Sequence, residues 1–161
     1  YKGSNKDLRF DSEYLDNLLD IQHGEGRCRA LLHLLFPEMN PTETFHIDHL
    51  HPKDAFKKLK GLDYLTDDEE LMNFYSDVSK WNSISNLHLL NDSQNMSKKA
   101  TALADWIDST GVSVTKKSLL IAEDVSLSFS EFKQFYEKRR EDNKIFYDKL
   151  IMELEDYAKC E

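Results

Sequence analysis

An acid beside a histidine opens the chemically suggestive part of this chain. The run His46-Ile47-Asp48-His49-Leu50-His51-Pro52 is answered downstream by Asn86-Leu87-His88-Leu89-Leu90-Asn91-Asp92-Ser93-Gln94-Asn95-Met96-Ser97-Lys98-Lys99. Breaking a phosphodiester needs charge neutralisation on the phosphate and leaving oxygen, and a water activated in line with the bond. A hard, oxygen-ligated cation supplies the first and a neutral imidazole the second. Asp48 with the side-chain oxygen of Asn95 makes a minimal ligand set for Mg²⁺ or Mn²⁺, and Mg²⁺ keeps most of its shell for water and substrate. His49, with an ordinary pKa of about 6.5, accepts a proton from water near neutral pH. Neighbours on a regular strand point oppositely, so Asp48 and His49 share a site only where a strand ends, and Pro52 fits such an end.

The elements that must hold these residues follow from periodicity. Residues 7–23 carry Leu8, Leu15, Leu18, Leu19 and Ile21 at helical spacing, Gly24 and Gly26 interrupt it, and Cys28 to Phe36 resumes it. Two antiparallel helices are expected, the second ended by Pro37 and Pro41. Thr42 to Ile47 reads as a first strand, rich in β-branched and aromatic residues. Asp54 is placed to cap a helix through Leu62, and Thr66-Asp67-Asp68-Glu69 reads as a capping box opening another through about Val78. Trp81 to Leu90 is the second strand, with Leu87 and Leu89 on one face and Asn86 and His88 on the other. A helix from about Ser93 to Asp108 follows, stopped by Gly111. After the apolar stretch Leu119-Leu120-Ile121, Ser128-Phe129-Ser130-Glu131 reads as a capping box for a long helix to about Tyr157. Phe132, Phe135, Tyr136, Phe146, Leu150, Ile151 and Leu154 make its buried stripe.

The 161 residues suit a single domain. Its expected parts are N-terminal helices over 1–40, a chemical core over 41–110 and a helical extension over 111–161. A start at Tyr1 without an initiator Met reads as a piece of a longer protein. No apolar run approaches the roughly 18 residues of a membrane span, so no membrane partner is expected. Two cysteines, Cys28 and Cys160, lie far apart with no C-x-x-C, which points away from a structural zinc and towards a reducing cytoplasm. Net charge −9 counts against a free-standing DNA binder, because non-specific affinity comes largely from Lys and Arg on phosphates. The charge is uneven, however. Lys53, Lys57, Lys58, Lys60, Lys98 and Lys99 flank the candidate site, while Asp63, Asp67, Asp68, Glu69, Glu70 and Asp77 crowd the segment between its halves, predicting a basic rim on an acidic body.

The stretch from Thr42 to Trp106, through its motif segments 46–53 and 82–99, resembles the HNH (ββα-metal, His-Me finger) endonucleases. The resemblance implies an α+β, mostly helical fold: a short two-stranded antiparallel sheet plus a helix, here buttressed by flanking helices. It implies Asp48 and Asn95 as metal ligands, His49 as general base, and Asn86 as the residue that ties the loop together and helps orient the base. His46, His51, Lys53, Lys98 and Lys99 are further candidates for contacts behind the ligands or to substrate. The spacing of the asparagines and Lys98 is similar to the HNH domains of RNA-guided CRISPR nucleases. The run Asn-Ser-Ile-Ser-Asn-Leu-His-Leu-Leu with Asn95 and Lys98-Lys99 is closer in style to the C-terminal HNH domains of GmrSD-type restriction enzymes. DNA is the implied partner, with target recognition left to a further domain or partner chain. Two departures stand out: the Cys pairs that bind structural zinc in many HNH proteins are absent, and the interval from His49 to Asn86 is long.

Two other readings compete. His46, Asp48, His49 and His51 are dense enough for a dinuclear metallohydrolase, but their order is H-x-D-H-x-H, unlike H-x-H-x-D-H, and five glycines with helical periodicity do not suit that class. The other is a degenerate HNH fold serving as a non-catalytic nucleic-acid- or protein-binding module. The acidic balance suits it, and the intact Asp48, His49, Asn86 and Asn95 set speaks against it.

Overall fold

Two short strands organise the molecule. Phe45–His49 (β1) and Leu87–Asn91 (β2) pair antiparallel, placing Asp48 opposite His88 and His49 opposite Leu87. The computed structural model describes residues 11–36, 42–109, 114–141 and 145–159, and over these the fold is mostly helical α+β with one two-stranded antiparallel sheet. The first strand lies later than composition predicted, which puts Asp48 and His49 on its last two positions. Leu8, Pro37, Pro41, Gly111 and Cys160 lie outside the described residues.

Ahead of the sheet, Asp11 caps helix α1 (Ser12–Leu19) by accepting from the Tyr14 amide at 2.7 Å. The chain reverses through Ile21–Gly24, where Gly24 at φ +101° holds a backbone that β-carbon-bearing residues rarely adopt. Helix α2 (Gly26–Leu35) then buries Cys28, Leu31, Leu32 and Leu35.

Between the strands, the helix expected over Asp54–Leu62 is instead two 3₁₀ turns, Lys53–Lys57 and Leu59–Gly61, and Pro52 rather than Asp54 holds the N-cap position. Each turn buries one apolar side chain, Phe56 in the first and Leu59 in the second. Helix α3 (Asp63–Thr66) ends where a helix was expected to start. The cap of α4 (Glu69–Ser76) is Asp68, accepting from the Leu71 amide at 3.0 Å. Asp77 likewise caps α5 (Val78–Trp81). Trp81 therefore closes a helix rather than opening a strand, and a 3₁₀ turn over Ile84–Asn86 leads into β2.

Beyond β2, Asn91 and Gln94 form a reciprocal capping box that starts α6 (Asp92–Lys98). The helix expected through Asp108 breaks at Lys99, which sits at φ +45°, and resumes as α7 (Leu103–Ile107). In a straight helix Ser97 and Trp106 would lie about 13 Å apart along the axis. The break brings the indole N–H of Trp106 to 3.1 Å from the Ser97 hydroxyl and buries the ring completely. The long C-terminal helix is likewise divided: a 3₁₀ turn (Phe129–Glu131) enters α8 (Phe132–Arg139), and α9 (Ile145–Lys159) follows.

Two apolar clusters result. Phe56, Tyr75, Trp81, Leu90, Trp106 and Phe132 belong to one. Leu87 and Leu89 join Leu19, Leu32, Phe45 and Phe146 in the other. Of the expected C-terminal stripe, Phe132, Phe135, Tyr136, Phe146 and Leu150 are buried, and Ile151 and Leu154 pack at its margin. Arg139 ties the extension to the core: 2% exposed, it donates to the carbonyls of Ser85 at 3.0 Å and Leu119, and lies 4.2 Å from the Phe146 ring. No helix among the described residues is long and apolar enough to cross a membrane.

Candidate functional site

Asp48 and His49 end β1 and open into one shallow cup of about 250 Å³, whose lining also includes Pro52, Lys53, Asp54, Lys99 and Ala100. The strand's end is what lets two sequence neighbours face the same space. Asp54, which sequence reasoning assigned to a helix cap, adds a second carboxylate, and the break at Lys99 adds an ammonium.

The His49 imidazole is held from three sides. Its Nε2 is 2.9 Å from Asn82 Oδ1, His23 stacks on it at 5.1 Å between centroids, and Trp81 lies at 5.6 Å. The Asn82 amide nitrogen faces two acceptors, Gln22 Oε1 and the His23 carbonyl, each at 3.4 Å, which leaves Oδ1 for the imidazole. Nε2 must then carry the proton and donate, so Nδ1 holds the lone pair. Burial lowers the His49 pKa below its ordinary value, opposed by the Asn82 bond and assisted by the nearby His23. The ring is therefore a neutral base at pH 7. Sequence reasoning missed both Asn82 and His23 as neighbours of the base. The available signal was a second asparagine four residues before Asn86, within the motif segment.

Asn86 is fully buried and makes three backbone bonds: Oδ1 accepts from the His51 amide at 2.9 Å, and Nδ2 donates to the carbonyls of His51 at 3.0 Å and Trp81 at 2.9 Å. It ties the loop after β1 to the end of α5. Direct contact with the base belongs to Asn82, so Asn86 acts on His49 only through the loop. His51 is 1% exposed, ringed by Phe129, Phe132 and Phe135, and burial pushes its pKa down to about 3. A ring so enclosed cannot reach a phosphate.

Lys98 departs most from expectation. Rather than sitting on a solvent-facing rim, it is fully buried, with Nζ 2.8 Å from the His49 carbonyl and 3.0 Å from Asp48 Oδ2. The contact to Asp48 is an ion pair rather than an aligned hydrogen bond. Burial lowers the lysine's pKa and the Asp48 charge opposes that shift. Lys98 thus fixes the carboxylate from behind and is closed to substrate. Asn95 lies half-buried one turn earlier on α6 and is not among the residues lining the cup, so the structure brings Asp48 and His49 together and does not bring Asn95 into the cup with them. His46 pairs with Asp92 at 2.5 Å, also outside the cup. His88 is buried against Phe36, its pKa pushed down to about 3 by desolvation.

The donors facing the cup are carboxylate oxygens, Asp48 and Asp54. Hard oxygens in an open, partly solvated site fit a divalent cation that keeps several waters. Among the described residues, no three His, Cys, Asp or Glu side chains converge as a closed coordination shell would require. No protein-family model matches the chain, and no curated protein matches it in sequence.

Proposed function

We propose that this protein is a metal-dependent DNA endonuclease of HNH type that hydrolyses phosphodiesters, the cleavage unit of a restriction or defence enzyme. The observation that carries the reading is the convergence of the Asp48 carboxylate and an oriented, neutral His49 on one cup flanked by Lys53 and Lys99. Asp48 would hold the cation, with Asp54 as the second oxygen donor facing the cup; Asn95, a ligand on the sequence resemblance, would have to turn in from α6. When bound, Mg²⁺ or Mn²⁺ supplies charge neutralisation at the phosphate and leaving oxygen. The chain's own residues do the rest. Nδ1 of His49, left free by the Nε2–Asn82 bond, would take the proton from the attacking water, Asn82 and His23 hold the ring, and Lys98 keeps Asp48 in place. With net charge −9, affinity and target choice come from a further domain or partner, which raises the local concentration of the cleavage unit.

One observation favours the rival of a non-hydrolytic binding module: Lys98 already compensates Asp48, as an internal ion pair in a retired site would. Plasmid incubation separates the two. Nicking with Mg²⁺ or Mn²⁺, abolished by EDTA and lowered about 10²–10⁴-fold by His49→Ala, is expected of the nuclease. An intact plasmid under all metals, or equal cleavage in excess chelator, would refute it.

A further inference from the structure

A larger cavity adjoins the cup. It encloses about 600 Å³ and shares Pro52, Asp54 and Ala100 with it. That volume falls in the range of roughly 300–1,000 Å³ typical of small-molecule sites. Its lining is mainly apolar, including Leu103, Leu127 and Phe129, with buried His51 beneath. Two hydroxyls, of Ser126 and Ser128, and the exposed Lys58 complete it.

We propose that this cavity receives the nucleoside next to the scissile phosphate, lifted out of the base stack, so that the preferred substrate carries an unpaired nucleotide at the cut. The inference rests on the nuclease reading of the cup. Three features converge on that occupant. The cavity adjoins the cup where, on the nuclease reading, the phosphate lies, with Pro52, Asp54 and Ala100 lining both. Cations border both spaces: Lys53 and Lys99 line the cup and Lys58 lines the cavity, each placed to meet a backbone phosphate. The lining includes the Phe129 ring and the Ser126 and Ser128 side chains, which suit a base and its sugar, whereas a paired duplex keeps the faces of its bases stacked inside the helix. Asp54 stands at the shared edge, and its carboxylate pairs with Lys57 at 3.3 Å.

The test uses single-stranded dodecamers in which one abasic tetrahydrofuran residue is walked along the strand. With the parent protein and Mn²⁺, an abasic residue at one position beside the cut should slow cleavage between about fivefold and a hundredfold, the scale of one base stacked on protein. The same residue should weaken binding to the His49→Ala protein, read by anisotropy. Ala104→Trp and Ser126→Trp each fill the cavity without lining the cup. In either variant, once shown to melt as the parent does, intact and abasic strands should be cut equally slowly. Cleavage indifferent to the abasic residue at every position overturns the cavity assignment and leaves the nuclease standing, as does a dependence that survives both tryptophans. Should no strand be cut with Mg²⁺ or Mn²⁺, the nuclease reading falls, and the binding arm decides the cavity alone: base-dependent affinity supports it and base-independent affinity overturns it.

Discussion

His49 Nε2 and Asn82 Oδ1 stand 2.9 Å apart, joining the end of β1 to the residue just after α5. Asn82 is itself locked by the N-terminal reversal: its carbonyl accepts from the His23 amide at 2.8 Å, and a bridge pairs Gln22 with Ser83. The N-terminal helices thus do more than cover apolar surface, because they fix the tautomer and the facing of the imidazole.

Asn82→Ala should therefore lower kcat by roughly 10–100-fold, the usual cost of losing a partner that orients a working imidazole. DNA affinity should stay unchanged, because Asn82 does not line the cup. Asn82→Gln, which keeps an amide oxygen, should restore part of the rate. Single-turnover cleavage and a filter-binding titration read the two quantities, and a loss of binding at full kcat would contradict the orienting role.

The lysines divide into two kinds that the sequence cannot tell apart. Lys53 and Lys99 are exposed at the cup, so replacing either by Ala should weaken DNA binding and reduce the log–log salt slope by about 1, with no change in melting. Lys98→Ala should leave the salt slope intact and cost about 2–3 kcal/mol of stability, somewhat below the range for a fully buried pair because Asp48 is 24% exposed. A Lys98→Ala protein that melts normally but binds DNA poorly would reverse this division.

Part of the candidate cup was legible in the sequence, and the misses have physical causes. Asp48, His49 and Asn86 stood out because chemistry demands particular side chains at particular spacings. Lys98 could not be placed, since burying an ammonium is a tertiary event: it depends on the His49 carbonyl, the Asp48 carboxylate and the Trp106 ring lying within reach. The broken helices have the same origin. The residues after Ser93 carry a helical pattern, yet burial of Trp106 with its N–H on Ser97 outweighs the backbone bonds lost at Lys99. A competing cap accounts for the shifted start of α4, because Asp68 reaches the Leu71 amide and Thr66 does not.

Two buried histidines set the acid response. His51 and His88 have folded pKa values of about 3. In the unfolded chain each titrates near about 6.5, so the unfolded state binds more protons between these values. Stability is thus complete above about pH 6.5 and falls as pH drops, by up to ~1.4 kcal/mol per pH unit for each histidine. Urea unfolding from pH 7.5 to 5 should show this decline, and His88→Gln, which cannot protonate, should flatten it. An identical slope in both proteins would remove His88 from the account.

The C-terminal extension should prove inseparable from the core. Arg139 on α8 reaches back to the Ser85 carbonyl ahead of β2 and to Leu119, while Tyr75 on α4 donates to the Phe129 carbonyl at 2.5 Å and accepts from the Phe132 amide at 3.2 Å. Arg139→Met preserves much of the side-chain volume but leaves those buried carbonyls unpaired, at about 1–3 kcal/mol each. A loss of about 3 kcal/mol or more is expected, which for a chain of this size lowers the melting temperature by roughly 6–12 °C. Arg139 does not line the Asp48–His49 cup, so at low temperature the variant should cleave at the parent rate until it unfolds. Removing residues from Phe129 onward strips Phe132, Phe135 and Phe146 from the two apolar clusters at once, and the remaining chain should give the collapsed amide spectrum of an unfolded protein. A dispersed spectrum from that truncated chain would show that the sheet and its following helix fold without the extension.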